Sequence, residues 1–256
     1  MTATAGDTLG RTAAAITLML AITAVVLALG RIQAQRELLV SVARAMVQLT
    51  AVALVIAWIF VNPEAAVLYV AVMLAAATAT AVRRIGCGWR LSGFVLVAIL
   101  SGAALTVSVV ALTGALAWDV QAVLPFTAQM IGGAMTAALL AGSRMRDDAI
   151  QRWGEVEGYL ALGASPRQAL VPIGQSSVQA SLAPALDQTK SAGLVLLPGS
   201  FVGLLLGGAS PATAAQVQLL VLVGLLLAQA VASLLTTYLL APATGIRKPT
   251  AWRAAH

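Results

Sequence analysis

The stretch EVEGYLALGASPRQALVP, residues 155–172, carries two carboxylates, an arginine, a glycine and a Ser-Pro pair, and it lies between long apolar runs. Those runs set the fold class. The chain has 256 residues, of which 60% are hydrophobic and only 9% charged, and its mean hydropathy is +0.94. Soluble domains carry about 25% charged residues. Runs of roughly 18 or more nearly uncharged residues recur here, each long enough to cross a bilayer core of about 30 Å as a helix. The reading is an all-α polytopic membrane protein with about seven transmembrane helices.

The spans fall at roughly 12–30, 38–61, 64–82, 91–115, 122–143, 192–209 and 214–240. The first has a signal-peptide-like length. Asp7 beside Arg11 in its leader, without a small-x-small cleavage site, makes it a retained helix. One set of loops holds Arg31 and Arg36; then Arg83, Arg84 and Arg90; then Arg144, Arg146, Arg152, Arg167 and Lys190; then Arg247, Lys248 and Arg253. The alternate loops hold Glu64 and Asp119. The positive-inside rule puts the first set in the cytoplasm, the N-terminus outside and the C-terminus inside. Trp58 and Trp118 then fall at outer span ends and Trp89 at an inner one, where indoles favour the headgroup zone. The expected location is the cell membrane, plasma or inner, with lipid as the surrounding partner.

The same inventory narrows the chemistry. The net charge of +6 reflects cytoplasmic loops, so no nucleic-acid partner is inferred. Cys87 and His256 are the only residues of their kinds. They allow neither a structural zinc cluster nor a Ser-His or Cys-His pair, and no catalytic residue is expected. Cys87 reads as a small interfacial residue. The span interiors lack Asp and Glu, which argues against a proton- or sodium-coupled carrier. A GxxxxGK[ST] phosphate loop is also missing, so ATP would bind another chain.

The quoted stretch lies in the one long loop, residues 144–191, on the cytoplasmic side. Ile150, Trp153, Val156, Leu160 and Leu162 recur at mainly helical spacing. Gly163 suits a helix C-terminus, and Ser165 followed by Pro166 suits a helix start. The expectation is helix, sharp break, helix. The second helix returns to the membrane, weakened by Pro172, Gly174 and Pro184. Tyr159, Leu160 and Leu162 beside the turn point to a partner protein rather than to a purely solvated bend.

EGYLALGASPRQAL resembles the cytoplasmic coupling segment of ABC transporter permeases, with Glu157 and Gly163 at the matching spacing. VSVARAMVQL (40–49), QMIGGAM (129–135) and LAPALDQTKSAGLVLLPGSFVGLLLGGASPATAAQVQLLV (182–221) follow in the order found in the FetB-like family. These are iron-export ABC permeases with plant relatives implicated in aluminium tolerance. The resemblance covers about residues 38–240. It implies one permease domain over residues 1–256, with 144–191 as its cytoplasmic coupling loop. It also implies a homodimer and a separate cytosolic ABC ATPase subunit that carries ATP and Mg, with no cofactor on this chain. The ATPase would meet Glu157, Tyr159, Leu160, Gly163, Ala164, Ser165, Pro166 and Arg167. The chain departs from the family pattern at Gly133, where Asn is usual, at Ser200 and Phe201, where two Met are usual, and at Gln179, where Arg is common.

Polar residues within the spans give the path candidates. Arg44 and Gln48 lie one turn apart on one helix face, and Gln129 and Met130 follow Pro125 in the fifth span. Pro198, Gly199 and Ser200 break the sixth span midway, which is tolerated only beside protein or a water-filled cavity. Gln216 and Gln218 read as interhelical hydrogen-bonding residues. Metal ligands remain unassigned. The expected function is the membrane-spanning subunit of an ATP-driven exporter of iron or another metal. The alternatives are an ABC permease for a polar organic solute and an ion-coupled secondary transporter.

Overall fold

The computed structural model describes residues 5–32 and 34–244. The positive charges Arg247, Lys248 and Arg253, and His256, lie outside the described residues. The chain divides into two compact units, Met1–Asn62 and Pro63–His256. In the first, α1 (Ala5–Leu29) and α2 (Gln35–Val61) are joined by a turn in which Arg31 has φ +55°.

The second unit holds α3 (Ala65–Ile85), a 3₁₀ turn at Trp89–Leu91, α4 (Ser92–Thr113), α5 (Val120–Gln151) and α6 (Trp153–Ala161). It continues with α7 (Pro166–Ser191), α8 (Gly199–Leu206) and α9 (Pro211–Thr244). Among the described residues the structure is helical, with one isolated bridge between Ala192 and Leu196. Asp119 starts α5 by accepting the Ala122 N–H at 2.7 Å, satisfying one of the donors that a helix start leaves open.

The two longest helices, α5 and α9, form the centre, and α3, α4 and α7 pack on them. Small residues line the contacts: Ala134, Ala137, Ala138 and Ala141 on α5, and Ala228 and Ala232 on α9, are fully buried. In lipid, helix association depends on close packing rather than on hydrophobic exclusion, and small residues let backbones approach. Gly102 on α4 shows the limit, because a Cβ there would lie 2.3 Å from the Ala228 carbonyl oxygen.

Among the described residues, six helices are long and apolar enough to cross a membrane: Gly10–Leu29, Gln35–Val61, Ala65–Ile85, Trp89–Thr113, Val120–Gln151 and Pro211–Pro242. The expected spans correspond to these except one. The sixth, at 192–209, is corrected: only the eight residues of α8 are helical within it. Residues 192–198 fold instead into a turn in which the Gly193 N–H donates to the Leu196 carbonyl at 2.9 Å. The 144–191 stretch was expected as helix, break and helix. It comprises the end of α5, then α6, a four-residue turn and the whole of α7.

Helix α7 runs antiparallel beside α9. Near its start Arg167 stacks on Tyr238, Gly174 faces Thr237, and just past its end Ala192 and Gly193 share a cleft with Leu219 and Leu222. Its 26 residues rise roughly 39 Å. It therefore accompanies α9 through most of the depth that α9 spans. Pro172 and Pro184 sit inside it without ending it. Hydropathy misses α7 because its glutamines, serines, Asp187 and Lys190 lower the average along the helix.

Candidate functional site

The elbow between α6 and α7 is built from local rules. Arg152 separates α5 from α6, and its guanidinium pairs with Glu155 through Nε–Oε1 at 3.0 Å and Nη2–Oε2 at 2.5 Å. That hydrogen bond holds the Glu155 carboxyl below its ordinary pKa. Trp153 and Val156 are buried and anchor α6 to the bundle. The Trp153 indole nitrogen is enclosed without a hydrogen-bond partner among the described residues.

The turn residue Gly163 has φ +89°, a left-handed conformation that strains any residue with a Cβ. Ser165 then caps α7. Its Oγ accepts the Gln168 N–H at 3.4 Å, while Gln168 Oε1 accepts the Ser165 N–H at 2.8 Å. Pro166 follows at the first helical position. This reciprocal capping box and the glycine fix the angle between the two helices.

The eight elbow residues thus stand together on one surface feature. Tyr159 is 45% exposed and Leu162 87% exposed. Glu157 is exposed, Ala164 and Pro166 are half-buried, and Leu160 packs partly against the core. Arg167 turns toward α9.

The path candidates are not all brought together. Arg44 and Gln48 lie on α2, in the first unit. Gln129 is exposed on α5, but Met130 is 0% exposed and packs into the core where α5 meets Gly224 of α9. Pro198 is buried as the residue before α8, and it lines a cleft of about 190 Å³ with Leu197, Phe201 and Gln218. Gly199 is exposed, and the Ser200 hydroxyl donates to Gln218 Oε1. Gln218 therefore makes the interhelical hydrogen bond expected of it, tying α8 to α9.

Sequence reasoning passed over the outward face of α7. Gln168, Gln175 and Gln179 are exposed, while Ala169, Leu170, Ile173, Gly174, Ser177 and Val178 are buried against the bundle. Gln168 and Gln175 line a cleft of about 350 Å³ between α7 and α9, with Arg167, Leu234 and Tyr238. The signal was available in the sequence as glutamines at positions i, i+7 and i+11, on one face of a helix.

The model of UPF0014, described as an uncharacterised protein family, matches residues 11–244. The chain is 35% identical to the UPF0014 membrane protein STAR2 of rice over 83% of its own length and 75% of that protein's. It is 33% identical to the protein ALUMINUM SENSITIVE 3 of Arabidopsis thaliana, covering 80% of this chain and 76% of that one. It is 29% identical to the "Probable iron export permease protein FetB" of Escherichia coli, covering 88% of each. No solved structure matches.

Proposed function

The chain belongs to the UPF0014 family and is a multi-pass membrane permease, and from that premise we propose that it is the membrane-spanning subunit of an ATP-driven ABC transporter that exports iron or another metal. One observation carries the mechanism: the elbow around Gly163 is rigidly capped yet presents exposed Tyr159 and Leu162. A separate cytosolic ATPase, holding ATP and Mg, docks on this elbow. Closure of the ATPase pair pulls on α6. The capping box transmits that pull to α7 as a rigid body rather than bending the turn. Because α7 lies against both α5 and α9, its displacement shifts the centre of the bundle. Two copies of the chain form the complete passage.

The orientation is an external N-terminus and a cytoplasmic elbow, by the loop charges; Lys190, counted with them from sequence, stands instead in the last turn of α7, at the opposite end from the elbow. Reporter fusions at Gly163 and at Asp119 should lie on opposite sides. The same side for both would overturn this topology.

The cargo is read from similarity to the iron export permease. Iron crosses here as substrate. The decisive experiment is ATP-dependent uptake of labelled iron into inverted vesicles containing this chain and its ATPase. A second reading, export of a polar organic solute, is supported by the donors at hand. Among the described residues, no group of three or more His, Cys, Asp or Glu side chains is placed to hold a metal ion. Uptake of an organic solute without uptake of iron would favour that reading.

A further inference from the structure

We propose that the exposed face of α7 carrying Gln168, Gln175 and Gln179 is the wall of a water-filled passage, and that this passage admits neutral or anionic solutes in preference to bare cations. The proposal deepens the transport reading by naming the wall and the charge class of its cargo.

Helix α7 lies beside α9 from Tyr238 back to Leu219, within the span Pro211–Pro242. A helix face at that depth cannot leave carboxamides against lipid without cost, so such residues turn to protein or to water. The three glutamines fall within about 60° of one another around the helix. Among the described residues, the side chains of Gln175 and Gln179 make no hydrogen bond within the chain. Gln168 uses only its carbonyl oxygen, on Ser165.

Pro172 adds to the same face. It is exposed about 40° from Gln168 around α7 and lacks the N–H that would bond the Gln168 carbonyl. That carbonyl adds an acceptor to a face already rich in amides. Water can satisfy this carbonyl and the glutamine amides together.

Charge selection follows from what stands along the face. Arg167 lines the cleft at the cytoplasmic end, with its guanidinium spread over Tyr238, and Lys190 lies near the far end. The carboxylate nearest that end, Asp187, lies 3.6 Å from Lys190 Nζ and is offset by its charge. With the Lys190–Asp187 pair neutral, the Arg167 charge at the cytoplasmic end and the uncharged carboxamides beyond it disfavour a bare metal cation. A metal held in an anionic chelate meets no such barrier.

The test reads the wall directly and needs no transport. Cys87 is the only native cysteine, so Cys87→Ser gives a thiol-free background. In this full chain, in membrane vesicles, Gln168→Cys, Gln175→Cys and Gln179→Cys are each treated with sulfonatoethyl and trimethylammonioethyl methanethiosulfonate. Leu105→Cys, on the apolar exposed face of α4, serves as the lipid-facing control, and Leu162→Cys as the freely exposed one. All three glutamine positions should react, while Leu105→Cys stays unmodified. At Gln175→Cys the ratio of anionic to cationic rate should exceed that at Leu162→Cys severalfold, and Arg167→Ala should erase the excess. Failure of all three positions to react, or disulfide cross-linking between copies at Gln175→Cys without reagent labelling, would overturn the passage. Reaction with a cationic preference would overturn the charge selection. Either result is independent of whether iron transport itself is found.

Discussion

The Arg167 guanidinium carbon lies 4.5 Å from the centre of the Tyr238 ring, and its Nη1 donates to the Tyr238 hydroxyl at 3.4 Å. This pair joins the first turn of α7 to α9 immediately beyond the elbow. An exposed cation–π pair contributes about 0.5–1 kcal/mol. The hydrogen bond is long and adds little. Tyr238→Phe should therefore behave as the parent, whereas Tyr238→Leu should lower the melting temperature by about 2 °C. Thermal unfolding in detergent checks this. Equal effects of the two substitutions would show that the ring face is not what Arg167 uses.

Gly163 sets the elbow angle at φ +89°. Gly163→Val forces a β-branched side chain into a left-handed backbone, at a cost of about 1–3 kcal/mol. Nothing surrounds the position within 4 Å, so the effect should be purely conformational. The variant should insert normally, associate weakly with the ATPase and lose most ATP-driven transport. Gly163→Asn should keep more activity, since Asn tolerates that backbone. Full transport by Gly163→Val would sink the coupling role of the elbow.

The α4–α9 crossing at Gly102 leaves no room for a methyl group, because the obstacle is the Ala228 backbone carbonyl. Gly102→Ala should destabilise the bundle by about 1–3 kcal/mol through forced separation of the helices. Gly93, on the same helix but with nothing within 4 Å, should accept Ala with no loss. Detergent melting of the two variants side by side tests the contrast.

Burial pushes the Cys87 thiol above its ordinary pKa, against the smaller opposing pulls of a backbone hydrogen bond and Arg146. A raised pKa means less thiolate at any given pH, and the thiolate is the nucleophile. Alkylation of Cys87 by N-ethylmaleimide at pH 7 should be severalfold slower than at an introduced Leu162→Cys. The gap should narrow as pH rises. Arg146→Ala removes a stabilising positive charge and should slow Cys87 further. Matching rates at pH 7 would contradict the burial of this thiol.

The elbow was legible because its rules are local. Gly163, Ser165 and Pro166 each act through the backbone of their own neighbours, so helix, break and helix could be read before any packing was known. Gln218 was legible for a similar reason: an amide early in an apolar span needs a partner, and it found Ser200. Met130 was not, since facing a passage and facing a packed core look the same in a list of residues.

Composition alone determined that this chain lives in a membrane as a bundle of helices, because a backbone in lipid has few other ways to satisfy its polar groups. The six long apolar helices among the described residues were also settled by hydropathy, since each holds a long window that is apolar on average. Only the tertiary structure decided what accompanies α9. The apolar segment 192–209 had the average composition of a span, but Gly193, Pro198, Gly207 and Gly208 confine its helix to α8. The more polar α7 takes the place beside α9 instead. Hydropathy averages around the helix, whereas packing requires only that one face be apolar. Ala169, Leu170, Ile173 and Val178 provide that face, and Gln168, Gln175 and Gln179 stand exposed on the other side.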